Sequence, residues 1–98
     1  MPTLTAPKLV SSRDQARELT ADLPANLADV TVIVDCRALQ ASTPSFVDEL
    51  VKVCLVERHA RSLVFSRAPE RTAEHARRAA QNRQVADRLE IDPPFDVG

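Results

Sequence analysis

The sequence predicts a small α/β domain, a parallel or mixed sheet covered by helices in the order βαβαβα. Three observations carry that reading. Val30–Cys36 (VTVIVDC) is a nearly continuous apolar run, as in a strand buried on both faces of a parallel sheet flanked by helices. Directly after it, Val47, Leu50, Val51, Cys54 and Leu55 recur at helical offsets, with Phe46 and Val53 widening the stripe. Ser62–Ser66 (SLVFS) then repeats the strand signal, and a right-handed crossover would set the two strands side by side and parallel.

Each element has its own local cause. Residues 1–7 hold two prolines and read as a frayed arm or a short edge strand, and Lys8–Val10 as a brief strand. Ser12 offers an N-cap and Gln15, three residues on, can return a bond to its backbone, so a helix should run from about Arg13 to Asp22. Ala16, Leu19 and Leu23 share its apolar face, and Pro24 stops it. The connection Arg37–Thr43 contains no glycine and should need no left-handed backbone. Pro44 suits the first turn of the second helix, with Thr43 as N-cap; a competing frame places the cap at Ser45, with Asp48 three residues later. That helix should end near Glu57–His59. Pro69 and Glu70 open a third, whose Ala73, Ala76 and Ala80 allow close approach to a sheet. Gln84–Leu89 either extends it or forms a separate short helix. Asp92-Pro93-Pro94 should end ordered structure, leaving Phe95–Gly98 as a tail. The chain thus reads as one domain, residues 1–98, with an ordered core at about 8–91.

Composition narrows the function classes. Ninety-eight residues allow one modest core, and the net charge is −1. The distribution is lopsided: eight Arg against three acids from Arg58 to Arg88, but eight acids against three bases from Asp14 to Glu57. Gly98 is the only glycine, which excludes Gly-rich phosphate loops; three Phe with no Tyr or Trp exclude a stacking platform for single-stranded bases. Cys36 and Cys54 read as reduced core residues of a cytoplasmic protein. No secretory h-region opens the chain and no apolar run approaches ~20 residues, so neither export nor membrane spanning is expected.

One motif resembles a known family. A buried strand ending in Asp35, a short loop, and the helix start Pro44-Ser45-Phe46-Val47-Asp48-Glu49-Leu50 resemble the STAS domain of bacterial anti-sigma-factor antagonists. They are closer still to short STAS-like domains of unassigned function, whose helix start typically reads Ser-Ser-Phe-Ala-Asp-Glu-Leu. The resemblance spans roughly residues 8 to 82. It implies a non-enzymatic protein-interaction module in a regulatory system, with no cofactor and no metal, whose partner is a protein such as a kinase-type anti-sigma factor. The binding surface would be the strand-to-helix loop around residues 40–46, using Asp35, Gln40, Ser42, Thr43, Ser45 and Asp48. In the antagonists a Ser at this helix start is phosphorylated, usually within Asp-Ser-Ser-Gly. Aligned from Asp35, that position falls on Pro44 and the next on Ser45, with Thr43 in place of the Asp and Phe46 in place of the Gly. The switch is therefore not carried over intact, and Ser45, ahead of Thr43 or Ser42, is the residue left to carry a phosphate.

The residues also have plainer explanations. Ser42, Thr43 and Ser45 suit helix capping, worth ~1 kcal/mol, as well as an anion site at a helix N-terminus. Asp35 can organise the loop by accepting backbone N–H groups. Asp48 and Glu49 are adjacent on a helix and point about 100° apart, so they form no facing catalytic pair; Asp48 can bond its own helix start. Cys36 beside Arg37 invites a rhodanese-like or phosphatase-like reading, but RALQAST lacks the glycines of such a loop. His59 and His75 have no further ligands at metal spacing. Arg67, Arg71, Arg77 and Arg78 make a basic patch for which a nucleic acid is the alternative partner, although Glu70–Arg77 and Glu74–Arg78 lie within helical reach and an acidic protein fits equally well. An exposed N-terminal edge strand also leaves a homo-oligomer open.

Overall fold

The computed structural model describes residues 1–92, so the expected tail at Phe95–Gly98 lies outside it. The elements are β1 (Thr3–Thr5), α1 (Arg13–Thr20), β2 (Thr31–Asp35), α2 (Pro44–Val51), β3 (Ser62–Ser66), α3 (Glu70–Asn82) and β4 (Leu89–Asp92). The four strands form one all-parallel sheet in the order β1-β2-β3-β4, each strand beside its sequence neighbour. The predicted α/β class, sheet plus covering helices, is the class observed.

Register divides the sheet into two unlike faces. One carries the rows Val32–Leu63–Leu89 and Leu4–Val34–Phe65–Ile91. Its central members are buried, and α1, α2 and α3 pack side by side against it. The other face carries Thr31–Ser62, Thr3–Ile33–Val64–Glu90 and Thr5–Asp35–Ser66–Asp92, exposed or half-buried except for Val64. The expectation that the β2 run is buried on both faces is therefore corrected. Ile33 made the run look continuous, yet its neighbours on that face, Thr31 and Asp35, are polar, so the true pattern is the period-two alternation of a half-covered strand. Thr31 and Ser62 satisfy each other there across the strand pair, Oγ1 to Oγ 2.9 Å.

The helices begin where their caps dictate. Ser12 caps α1 with the full reciprocal box: its hydroxyl accepts from the Gln15 N–H at 3.1 Å, and the Gln15 amide oxygen accepts from the Ser12 N–H at 3.1 Å. Thr43 caps α2 with Pro44 in its first turn, which settles the choice between the two frames against Ser45. After Val51 the helix continues to Glu57 but widens into π geometry over Lys52–Glu57. The wider turn holds three consecutive side chains, Val53, Cys54 and Leu55, on the buried side. In α3, Ala73, Ala76, Ala79 and Ala80 are buried, as the small-residue face anticipates.

The ends of the sheet were harder to anticipate. β1 precedes residue 8, whereas Lys8–Val10 makes only an isolated bridge, Leu9 to Ala41. Residues 84–89 do not prolong α3. The chain turns at Gln84, makes one 3₁₀ turn at Ala86–Arg88 and enters β4. The α3 terminus is a Schellman closure, with the Val85 N–H donating to the Ala80 carbonyl at 2.9 Å and that of Gln84 to Gln81 at 3.1 Å. Such a closure needs a left-handed residue, usually glycine; here Gln84 takes it at φ 60°, while the other positive-φ residues described are His59 (58°), after the π segment, and Arg67 (57°), after β3. The Arg37–Thr43 connection contains none, as predicted.

Candidate functional site

The α2 start lies beside α3, and between them runs a cleft of about 510 Å3 lined by Arg13, Pro44, Ser45, Asp48, His75, Arg78 and Arg83, among others. A second hollow of about 380 Å3 continues from it past Ser42, Thr43, Arg71 and Glu74, and the two share Pro44, His75 and Arg78. Part of the predicted loop and part of the predicted basic patch therefore form one trough.

The loop hydroxyls differ sharply in what they are free to do. Thr43 donates to the Ser11 carbonyl at 2.8 Å and accepts from the Phe46 N–H at 3.3 Å, so its hydroxyl is used in full. Ser42 pairs with the buried Thr72 hydroxyl of α3 at 2.8 Å. Ser45 is exposed and has no hydrogen-bond partner among the described residues. Pro44 lacks an N–H and Thr43 occupies that of Phe46, which leaves Ser45 as the first-turn residue with a donor to offer. A helix start with so few free N–H groups is a weak anion site on its own.

Asp48 does not bond its own helix start. Arg83 donates to both of its oxygens at 2.8 Å, and Arg13 adds a third bond, also 2.8 Å. Hydrogen bonds from Arg83 first, then Arg13, outweigh the opposing effect of burial and hold this carboxyl at about 2. The adjacent Glu49, 1% exposed, meets Arg17 at 2.9 Å and Arg13 at 3.1 Å. Burial alone would raise its pKa, but the bonds from Arg17 and Arg13 bring it below the usual carboxylate range. The two acids of the motif thus tie α2 to both of its neighbours.

The other predicted residues lie apart from the trough. Asp35 ends β2 and organises the loop as anticipated. It accepts from the Arg37 N–H at 3.0 Å and more weakly from the Arg37 guanidinium at 3.4 Å, which lowers its pKa. The exposed Gln40 is anchored by its own N–H, which donates to the Lys8 carbonyl at 2.8 Å. Cys36 and Cys54 are free and buried, and burial pushes both thiols up to about 12, so neither is an activated nucleophile.

The arginines divide into groups. Arg58 donates to the Thr20 and Leu23 carbonyls at the end of α1, and Arg88 to Leu55 and Ala60 at the end of the π segment. With Arg83 on Asp48, three of the eight are structural. The expected Glu70–Arg77 and Glu74–Arg78 pairs do not form: among the described residues no carboxylate lies within 4 Å of Arg67, Arg71, Arg77 or Arg78. Only Arg71 and Arg78 line the trough. Arg77 faces a separate hollow with Gln81, Leu89 and Glu90, and Arg67 sits at the carboxyl end of β3. The predicted patch is split.

Arg13 and His75 were missed as site residues, and Arg83, one of the Arg-rich stretch, was not expected on Asp48. Arg13 and Arg83 meet Asp48 from 35 positions away in either direction, and no local spacing signals that. Leu9, 63% exposed, bridges to Ala41 and sets an apolar side chain beside the loop. Among the described residues no cluster of three His, Cys, Asp or Glu is placed to hold a metal ion, and no helix is long and apolar enough to cross a membrane. No family model, curated protein or solved structure matches the chain.

Proposed function

We propose that this α/β domain is a non-enzymatic, STAS-like protein-interaction module of the bacterial cytoplasm. It engages a regulatory partner, of the kind represented by kinase-type anti-sigma factors, through the loop of residues 40–46 and the trough beside it. One observation carries the reading: Ser45 stands exposed on the trough lining with its hydroxyl unbonded among the described residues, while Ser42 and Thr43 are committed to internal bonds. Ser45 is also the hydroxyl best placed to accept a phosphate. The added charge of about −1.5 to −2 would fall among Arg13, Arg78 and Arg83 and change the surface a partner meets.

The alternative, a nucleic-acid accessory domain, asks for Arg67, Arg71, Arg77 and Arg78 on one surface, and Arg77 lines a different hollow from Arg71 and Arg78.

The test is native affinity capture from the source cells with wild-type, Ser45→Asp and Arg77→Glu proteins. A partner held by wild type and by Arg77→Glu but released by Ser45→Asp is expected. Loss with Arg77→Glu alone, together with a steep fall in salt, would refute the loop as the binding surface.

A further inference from the structure

We infer that the trough between α2 and α3 receives an acidic segment of the partner protein, held by Arg71 and Arg78. This rests on the interaction-module reading and specifies the partner's chemistry.

Arg71 and Arg78 are exposed, have no carboxylate within 4 Å among the described residues, and both line the hollow that contains Ser42 and Thr43. They lie seven residues apart on α3, two turns along one face, so their backbone positions are about 10 Å apart. That separation addresses two acidic groups and not one, which favours a chain segment over a small anion. The trough itself is elongated, two hollows joined through Pro44, His75 and Arg78. The acids of the lining cancel the charge only in part. Asp48 is covered by Arg13 and Arg83, and Glu74, which has no ion-pair partner among the described residues, offsets one of the two arginines.

The same features count against a nucleic acid. Phosphodiester backbones need a continuous basic track and gain from aromatic stacking. Here Glu74 sits between the two arginines, Arg77 lines a different hollow, Arg67 lines neither, and no Phe, Tyr or Trp lines either one. Beside the acid held by Arg78, the segment's backbone would also meet the hydroxyl of Ser45 and the amide of Asn82.

The experiment is fluorescence anisotropy at low salt with two labelled probes, a dodecapeptide of alternating Glu and Ser and a twelve-nucleotide oligothymidylate. Wild type is expected to bind the acidic peptide more tightly than the oligonucleotide. Arg71→Glu/Arg78→Glu should weaken peptide binding at least tenfold, while Arg67→Glu/Arg77→Glu, identical in net charge, should stay within twofold. Equal loss in the two double variants, or no peptide binding by wild type, overturns the inference. Tighter oligonucleotide binding that depends on Arg77 overturns it in favour of a nucleic acid. Partner capture sensitive to Ser45→Asp in a protein that ignores the peptide would leave the interaction module standing and remove only its acidic specificity.

Discussion

Arg83 grips Asp48 with two parallel hydrogen bonds, Nε to Oδ1 and Nη2 to Oδ2, each 2.8 Å, and so clamps the end of α3 to the first turns of α2. A bidentate guanidinium–carboxylate pair is the geometry in which a partly covered ion pair contributes measurably. Arg83→Ala should therefore destabilise the domain by roughly 1 kcal/mol, and a double-mutant cycle with Asp48→Asn should give a coupling of similar size in urea unfolding.

Acid pH should reveal the same pair. The Asp48 carboxyl is held at about 2, below its unfolded value of about 3.9. The linked stabilisation is thus complete above pH ~4 and is lost as pH falls toward 2, on the order of 1 kcal/mol after solvent screening. The difference in unfolding free energy between wild type and Asp48→Asn should shrink over that interval and stay constant from pH 5 to 7. An unchanged difference at pH 2.5 would refute the assignment.

Glu49 poses a different energetic problem. Its carboxylate is buried and relies on Arg13 and Arg17, whose own side chains are largely exposed. Removing both arginines strands a buried charge, whereas replacing the acid by an apolar residue of similar length removes the problem. Arg13→Ala/Arg17→Ala should destabilise the domain clearly, and Glu49→Met distinctly less. The ranking can be read from chemical denaturation midpoints.

Capping supplies a further prediction. Thr43→Ala should cost about 1 kcal/mol, because the Phe46 N–H and the Ser11 carbonyl both lose a partner, and Thr43→Ser should recover most of it. Ser45→Ala should be nearly neutral in thermal unfolding.

Left-handed residues give the opposite sign. His59 and Gln84 hold positive φ at helix ends without being glycine. His59→Gly and Gln84→Gly should each stabilise by roughly 0.5–1 kcal/mol, the relief of side-chain crowding less the entropy of glycine in the unfolded chain. Alanine at either site, which keeps its Cβ, should bring no such gain.

What the sequence made legible was local. The Ser12–Gln15 box, Pro44 in the first turn of α2 and the SLVFS strand rest on neighbouring residues and match the structure residue for residue. β4 was hidden because LEID is short, lies at an edge and follows a 3₁₀ turn, so its Leu–Glu–Ile–Asp alternation spans only two periods. The one-sided covering of β2 was obscured by Ile33 alone. For the site, the loop was legible, but its relation to the arginines was not. Whether Arg78 faces the same hollow as Ser42 and Arg77 a different one depends on how α3 is rotated against α2, which packing decides.

Laying the strands down in chain order also shapes how the domain is made. Each new strand joins the outer edge of the sheet already present and never has to be inserted between two formed neighbours. On a ribosome, β2 finds β1 waiting, β3 finds β2, and β4 finds β3, each across a crossover of moderate length. Assembly can therefore keep pace with synthesis, unit by unit, with little apolar strand left waiting for a partner not yet translated.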